Sequence, residues 1–187
     1  MREEPARAKA AERHLAALDP CRSHRDTKDV GIVILDQPII LPEYGVLAPA
    51  GSLDVLATRR GLQEVTFTAS GYGLTKSNPV RVTSFRERLM ATGTLVNLRN
   101  ALTDGFNLQT IGPGRGRGGT CSGDSGGPVF YGPSTSNTIV GVTSFGLNPY
   151  CKGVDFAFRT DTEAVIAWIV SIAQANNAGA VVIASGI

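Results

Sequence analysis

Glycine and proline cut this chain into pieces that suit strands and little else. Between Asp29 and Arg159 each apolar or alternating run is soon stopped by a turn residue, and the 187 residues include 22 glycines and 10 prolines. Val30–Leu35 (VGIVIL) ends at Asp36-Gln37-Pro38, Val65–Ala69 runs into Gly71-Tyr72-Gly73, Val80–Phe85 alternates, and Phe106–Ile111 follows Asp104-Gly105. Beyond the glycine loop Gly112–Gly119, Pro128–Tyr131 and Thr138–Phe145 flank a Gly-Pro-Ser turn, and Asp155–Arg159 adds one more run. Short β-branched and aromatic runs bounded by turn residues predict strands. One helix is predicted, Thr162–Ala173, with Ala164, Val165, Trp168, Ile169 and Ile172 on one stripe and Thr160 or Asp161 as N-cap. Many strands and one closing helix predict an all-β fold, a barrel or sandwich with a C-terminal α-helix.

The ends of the chain differ in texture. Residues 1–20 are rich in Ala, Arg and Glu and predict a charged helix or a disordered arm. Residues 37–62 read as a connecting segment, and Ala178–Ile187 as an apolar tail. Seven basic and five acidic side chains fall in residues 1–28, against eleven of each in residues 29–187. A neutral body offers no electrostatic footprint for nucleic acid. No stretch approaches the roughly 18 apolar residues that cross a membrane. Met1-Arg2-Glu3-Glu4 leads into mixed charge and not into the apolar core of a signal peptide. The cysteines, Cys21, Cys121 and Cys151, are odd in number, so one is left over if two pair.

One segment carries chemistry: Gly123-Asp124-Ser125-Gly126-Gly127-Pro128. A serine hydroxyl is a poor nucleophile until a base takes its proton and donors await the oxyanion. Glycines on both sides of Ser125 let the chain turn tightly enough for the N–H groups of Gly123 and Ser125 to converge on one point. The same letters satisfy G-x-S-x-G, but that nucleophile elbow needs a strand before the serine and a helix after it. Here a glycine loop precedes and the Pro128–Tyr131 strand follows, which excludes the elbow. A Gly-Ser surface loop without chemistry is the bland alternative, and six matching residues between a cysteine and a strand argue against it.

Gly119-Thr120-Cys121-Ser122-Gly123-Asp124-Ser125-Gly126-Gly127-Pro128 resembles the active-site signature of the trypsin/chymotrypsin family. Four further segments, in the family's order, extend the resemblance over residues 24–175. Asp29–Leu35 is similar to the segment in which the triad aspartate opens a buried strand, and Ser70-Gly71-Tyr72-Gly73 to the start of the second barrel. Val142–Gly146 is similar to the strand beside the specificity pocket, and the Trp168 helix to the closing helix. The resemblance, nearest in texture to secreted bacterial members, implies a double β-barrel that hydrolyses peptide bonds through an acyl-enzyme on Ser125. It implies Asp29 as the aspartate, with Asp26 a nearby competitor, Gly123 and Ser125 as oxyanion donors, and Asp124 as support for that hole. It also implies a Cys121–Cys151 disulfide, worth about 3–4 kcal/mol for a loop of about 30 residues, and with it an oxidising compartment. Gly119, Thr120, Ser144, Phe145 and Gly146 correspond to the specificity pocket. No carboxylate stands among them, so a small or apolar side chain is the expected occupant. The partners implied are polypeptide substrates, without nucleic acid, membrane, metal or cofactor, for a protein that is a secreted monomer in its intact form.

The departure is at the base. The family order is His, Asp, Ser, with the histidine in an Ala-Ala-His-Cys-like setting, and only His14 and His24 precede Asp29. Neither matches that setting, and each reads more simply as solvent-exposed. The expected organisation is an atypical charged segment 1–23, a remnant of the N-terminal barrel with its connector over 24–62, a complete C-terminal barrel with helix over 63–175, and the tail 176–187. An N-terminally truncated protease is expected, with impaired catalysis; a degenerate relative serving as a binding module is the alternative. Without its base such an enzyme keeps about 10³–10⁴-fold over water. Arg115 and Arg117 in the glycine loop read as solvated, with contact to an acidic substrate as the other reading.

Overall fold

The computed structural model describes residues 8–13 (backbone only), 28–56, 64–112 and 119–187. His14, Cys21, His24, Asp26, Arg115 and Arg117 lie outside these residues. In chain order the strands are β1 (Ala8–Arg13), β2 (Gly31–Leu35), β3 (Val46–Leu47), β4 (Thr66–Gly71), β5 (Lys76–Ser77) and β6 (Val82–Thr83). They continue with β7 (Leu89–Asn97), β8 (Asn107–Ile111), β9 (Pro128–Tyr131), β10 (Thr138–Gly146) and β11 (Val154–Arg159), and helix α1 (Glu163–Ala175) follows.

Six of these strands close into an antiparallel barrel in the order β11-β8-β7-β4-β9-β10, with β10 pairing back to β11. Phe67, Leu95, Leu108, Val129, Val140 and Ala157 point inward from the six strands and are buried together. At about 25 cal/mol per Å² of apolar surface removed from water, such a cluster is what drives closure. β3 adds to β10 in parallel at the outer side, and the tail docks on β3, where Leu47 donates to Val182 and accepts from Ala184.

The connector is part of this core. Ala48 and Leu53 are completely buried in the barrel cluster. A buried ionic node holds that stretch: Asp161 accepts from Arg159 Nε and Nη2, both at 2.8 Å, and from the Leu53 N–H at 2.9 Å. Arg159 also reaches Asp54 Oδ1 at 2.9 Å and the Gly105 carbonyl at 3.0 Å. The node explains a correction at the helix. Asp161 does not cap α1, because its carboxylate is already spent on Arg159 and Leu53. The N-cap position is Thr162, whose side chain makes no cap bond.

Three other expectations are corrected. The segment expected to be a helix or disordered arm contains β1, which pairs antiparallel with β2. Val30–Leu35 presents a ladder of backbone groups that must be paired, and main-chain bonding accepts any segment able to extend. Val80–Phe85 narrows to the two residues of β6. β7, nine residues long, was not predicted. Its centre, Thr92-Gly93-Thr94, blurs the alternation, but β4 and β8 bond it from both sides. A second small cluster seats α1: Val165 packs with Val30 and Phe158, flanked by Val142, Trp168 and Ile169.

Candidate active site

Two tight turns run from Cys121 to Gly127 and end in β9. Asp124 N–H donates to the Cys121 carbonyl at 3.0 Å, and Gly127 N–H to the Asp124 carbonyl at 2.9 Å. The loop is tied to the barrel at Thr143, which accepts from Gly126 and donates to Gly127, both at 2.9 Å. Asp124 turns inward, accepting from Gly73 N–H and Cys121 N–H, both at 2.8 Å. A side-chain carbon at Gly71 or Gly73 would run into that carboxylate, so Ser70–Gly73 and the serine loop fit only with glycine there. Gly123 has φ +99°, a conformation other residues rarely adopt. Ser125 is left exposed at the crest. Among the described residues, neither the Gly123 nor the Ser125 N–H donates to another group.

Asp29 arrives from the other end of the chain. Val30 is buried against Phe158 and Val165, which fixes the start of β2 beside β10. There the register of β10 against β11 slips between Thr143 and Phe145, so Ser144 is the extra residue of a bulge. Bulges re-aim side chains, and Ser144 Oγ donates to Asp29 Oδ2 at 2.6 Å across 115 positions of sequence. Such hydroxyl-to-carboxylate bonds are short and strong. Ser144 was expected only as pocket lining. Its contact with Asp29 depends on a bulge that no local pattern announces.

Cys121 and Cys151 form a disulfide with a Cα separation of 5.1 Å, within the usual range of about 4.4–6.8 Å. Beside it lies a cleft of about 420 Å³ lined by Thr120, Ser125, Ser144, Phe145, Gly146 and Asp155. Phe145 stacks on the buried Phe156 with ring centroids 4.4 Å apart. Gly119 is not in this lining: it stands behind Asp155, and a side-chain carbon there would meet the Asp155 carboxylate. A cleft without a carboxylate was expected, and Asp155 overturns that. It reaches the cleft because β10 and β11 pair Gly146 with Asp155. The one signal in the sequence was an acid among Val154, Phe156, Ala157 and Phe158. Burial pushes the Asp155 carboxyl above its ordinary pKa; hydrogen bonds from the Thr120 backbone and side chain oppose this, and the Asp124 charge adds to it. A second cleft, of about 590 Å³, is lined by Tyr44, Tyr72, Arg88, Gly123 and Phe130 together with Ser125. Among the described residues, Ser125 alone lines both clefts.

A family model of trypsin matches residues 12–169. The chain belongs to the trypsin family. Comparison with curated proteins gives no significant match. Among solved structures, the trypsin-family chain is similar to human heparin binding protein, at 22% identity and TM-score 0.62, covering 92% of this chain and 67% of that one. An atomic-resolution structure titled HBP matches at 20% identity and TM-score 0.63, covering 90% and 67%. A mutant of human heparin binding protein (CAP37) matches at 22% and 0.56, where the chain spans 58% of that protein's length. At these identities the likeness shows the fold, which is chymotrypsin-like.

Proposed function

We propose that this chain is a serine-type endopeptidase that cleaves polypeptides through an acyl-enzyme on Ser125. The observation that carries the reading is the place of Ser125 as the one described residue common to two clefts. A polypeptide crossing Ser125 has room on both sides of the scissile bond, and fixing both sides is what brings the carbonyl to the hydroxyl. Ser125 Oγ attacks that carbonyl, and the N–H groups of Gly123 and Ser125 receive the oxyanion. Asp29, held by Ser144, orients the base.

No residue is assigned as the base: His14 and His24 both lie outside the described residues, and neither stands in the family's histidine setting. The disulfide suits an oxidising compartment and secretion. Fluorophosphonate labelling tests the reading. Wild type is expected to label at one site but slowly, as an enzyme without a placed base would, Ser125→Ala not at all, and His14→Ala and His24→Ala at the wild-type rate. A folded wild type that stays unlabelled would leave a non-catalytic binding module.

A further inference from the structure

We infer that the β5–β6 hairpin and the segment after it form a docking surface for an anionic lipid bilayer, with Val80 and Val82 entering the headgroup layer and the surrounding cations held against it. The inference stands apart from the peptidase reading and departs from the expectation of no membrane partner. No helix among the described residues is long and apolar enough to cross a membrane, so the contact is one of surface and not of span. Four of the eleven cations of residues 29–187 fall within residues 74–90, namely Lys76, Arg81, Arg86 and Arg88, against a single anion, Glu87. The rest of that body is left net negative. A neutral body with its charge separated in this way meets an anionic surface with one side only.

Apolar side chains stand among those cations. Val80, at the turn of the hairpin, is 95% exposed, Val82 64% and Phe85 62%. One such residue is ordinary on a soluble surface, but three within residues 80–85 make a patch that marks an interaction site. The hairpin presents them on a formed scaffold. Asn78 N–H donates to the Arg81 carbonyl at 3.0 Å, and Arg81 N–H to the Asn78 carbonyl at 3.2 Å. Asn78 Oδ1 also accepts from the Val80 and Arg81 N–H groups, at 3.0 and 2.7 Å. At the base of the hairpin Thr75 N–H donates to the Thr83 carbonyl at 2.8 Å, so the tip need not be ordered on binding. Lys76, Phe85, Leu89, Met90, Tyr150 and Lys152 line one cleft of about 460 Å³, which brings a tyrosine and a further lysine to the same side. Apolar tips ringed by lysine and arginine, with an aromatic ring nearby, suit the boundary between headgroups and acyl chains. A soluble polyanion would use the cations and leave the valines in water, and that difference selects a bilayer.

Flotation of the full chain with vesicles of phosphatidylcholine, alone or mixed with phosphatidylserine, tests this without need of catalysis. Wild type is expected to float with the mixed vesicles, to stay behind with phosphatidylcholine alone, and to be released as salt is raised. Lys76→Gln with Arg81→Gln is expected to weaken binding about 25-fold, each cation near such a surface being worth about fivefold. Val80→Ser with Val82→Ser is expected to weaken it about tenfold or more. All four side chains are exposed, so Tm is expected to hold in both variants. Emission of Val80→Trp is expected to move to the blue with mixed vesicles, while that of Trp168 in wild type stays in place. A wild type that ignores phosphatidylserine, or floats with neither vesicle, overturns the inference. If the valine variant binds as wild type does, or the Val80→Trp emission does not move, charge alone reads a polyanion and the bilayer reading falls. Should a variant fail to fold, the lipid dependence of wild type decides. Ser125→Ala is expected to float as wild type. Flotation with an unreactive Ser125 keeps this surface and removes the peptidase reading, and a reactive Ser125 on a chain that ignores vesicles does the reverse.

Discussion

Replacing Asp161 by alanine tests how the connector is held to the barrel. Asp161 is completely buried and accepts three hydrogen bonds, two from Arg159 and one from the Leu53 N–H. Breaking a buried ion pair costs about 3–5 kcal/mol, because the surviving charge stays buried. Arg159, 2% exposed, keeps Asp54 and the Gly105 carbonyl, which puts its share near the lower end, about 3 kcal/mol. The orphaned Leu53 N–H adds about 1 kcal/mol or more. A loss of about 4 kcal/mol corresponds to roughly 8–16 °C in Tm for a domain of this size. Burial draws the Arg159 pKa down, but Asp161 and then Asp54 outweigh it and leave it raised. Its stabilising share is therefore whole below the ordinary arginine pKa and is lost only as pH rises through the higher folded value, so the deficit is flat across neutral pH. Urea unfolding followed by the fluorescence of Trp168, which packs on the helix cluster, measures it. A double variant, Arg159→Met with Asp161→Leu, removes both charges and is expected to recover much of the loss. A deficit below about 1 kcal/mol for Asp161→Ala would refute the reasoning, since that is the scale of a surface pair.

Cys121→Ser with Cys151→Ser opens a loop whose ends are 30 positions apart and is expected to cost about 3–4 kcal/mol, read as the gap between oxidised wild type and the variant in denaturant melts. Ser144→Ala removes the bond to Asp29 and leaves β10 intact; Ser125 labelling is expected to slow about tenfold or more with Tm nearly unchanged. A rate equal to wild type means Asp29 is positioned without Ser144. Asp155→Asn speaks to pH and stability. A carboxylate whose folded pKa is raised loses stability as pH rises from its unfolded value through the folded one. The variant is thus expected to melt above wild type at neutral pH, with the gap closing on acidification; scanning fluorimetry across pH shows whether it does.

Features written into contiguous residues are legible in the sequence. The runs that form β8, β9, β10, β11 and α1 carry their periodicity and their stop signals locally. Gly123–Pro128 marks its own turn, and the likeness to a known signature points from Cys121 to Cys151. Where sequence and structure part, the cause is pairing. β1 is an Ala- and Glu-containing stretch made extended by the open ladder of β2, and β7 is a weak pattern rescued by two neighbours. The bulge at Ser144 and the cross-strand pairing of Gly146 with Asp155 follow from register between strands.

The sequence by itself therefore determined the nucleophile loop, the strand-rich class and the family resemblance, because backbone turns and hydrophobic alternation act over a few neighbouring residues. Tertiary structure alone decided that Ser144 bonds Asp29, that Asp161 serves Arg159 instead of capping the helix, and that the cleft carries an acid. Those outcomes depend on which side chains share a desolvated space, and closing the barrel is what creates that space.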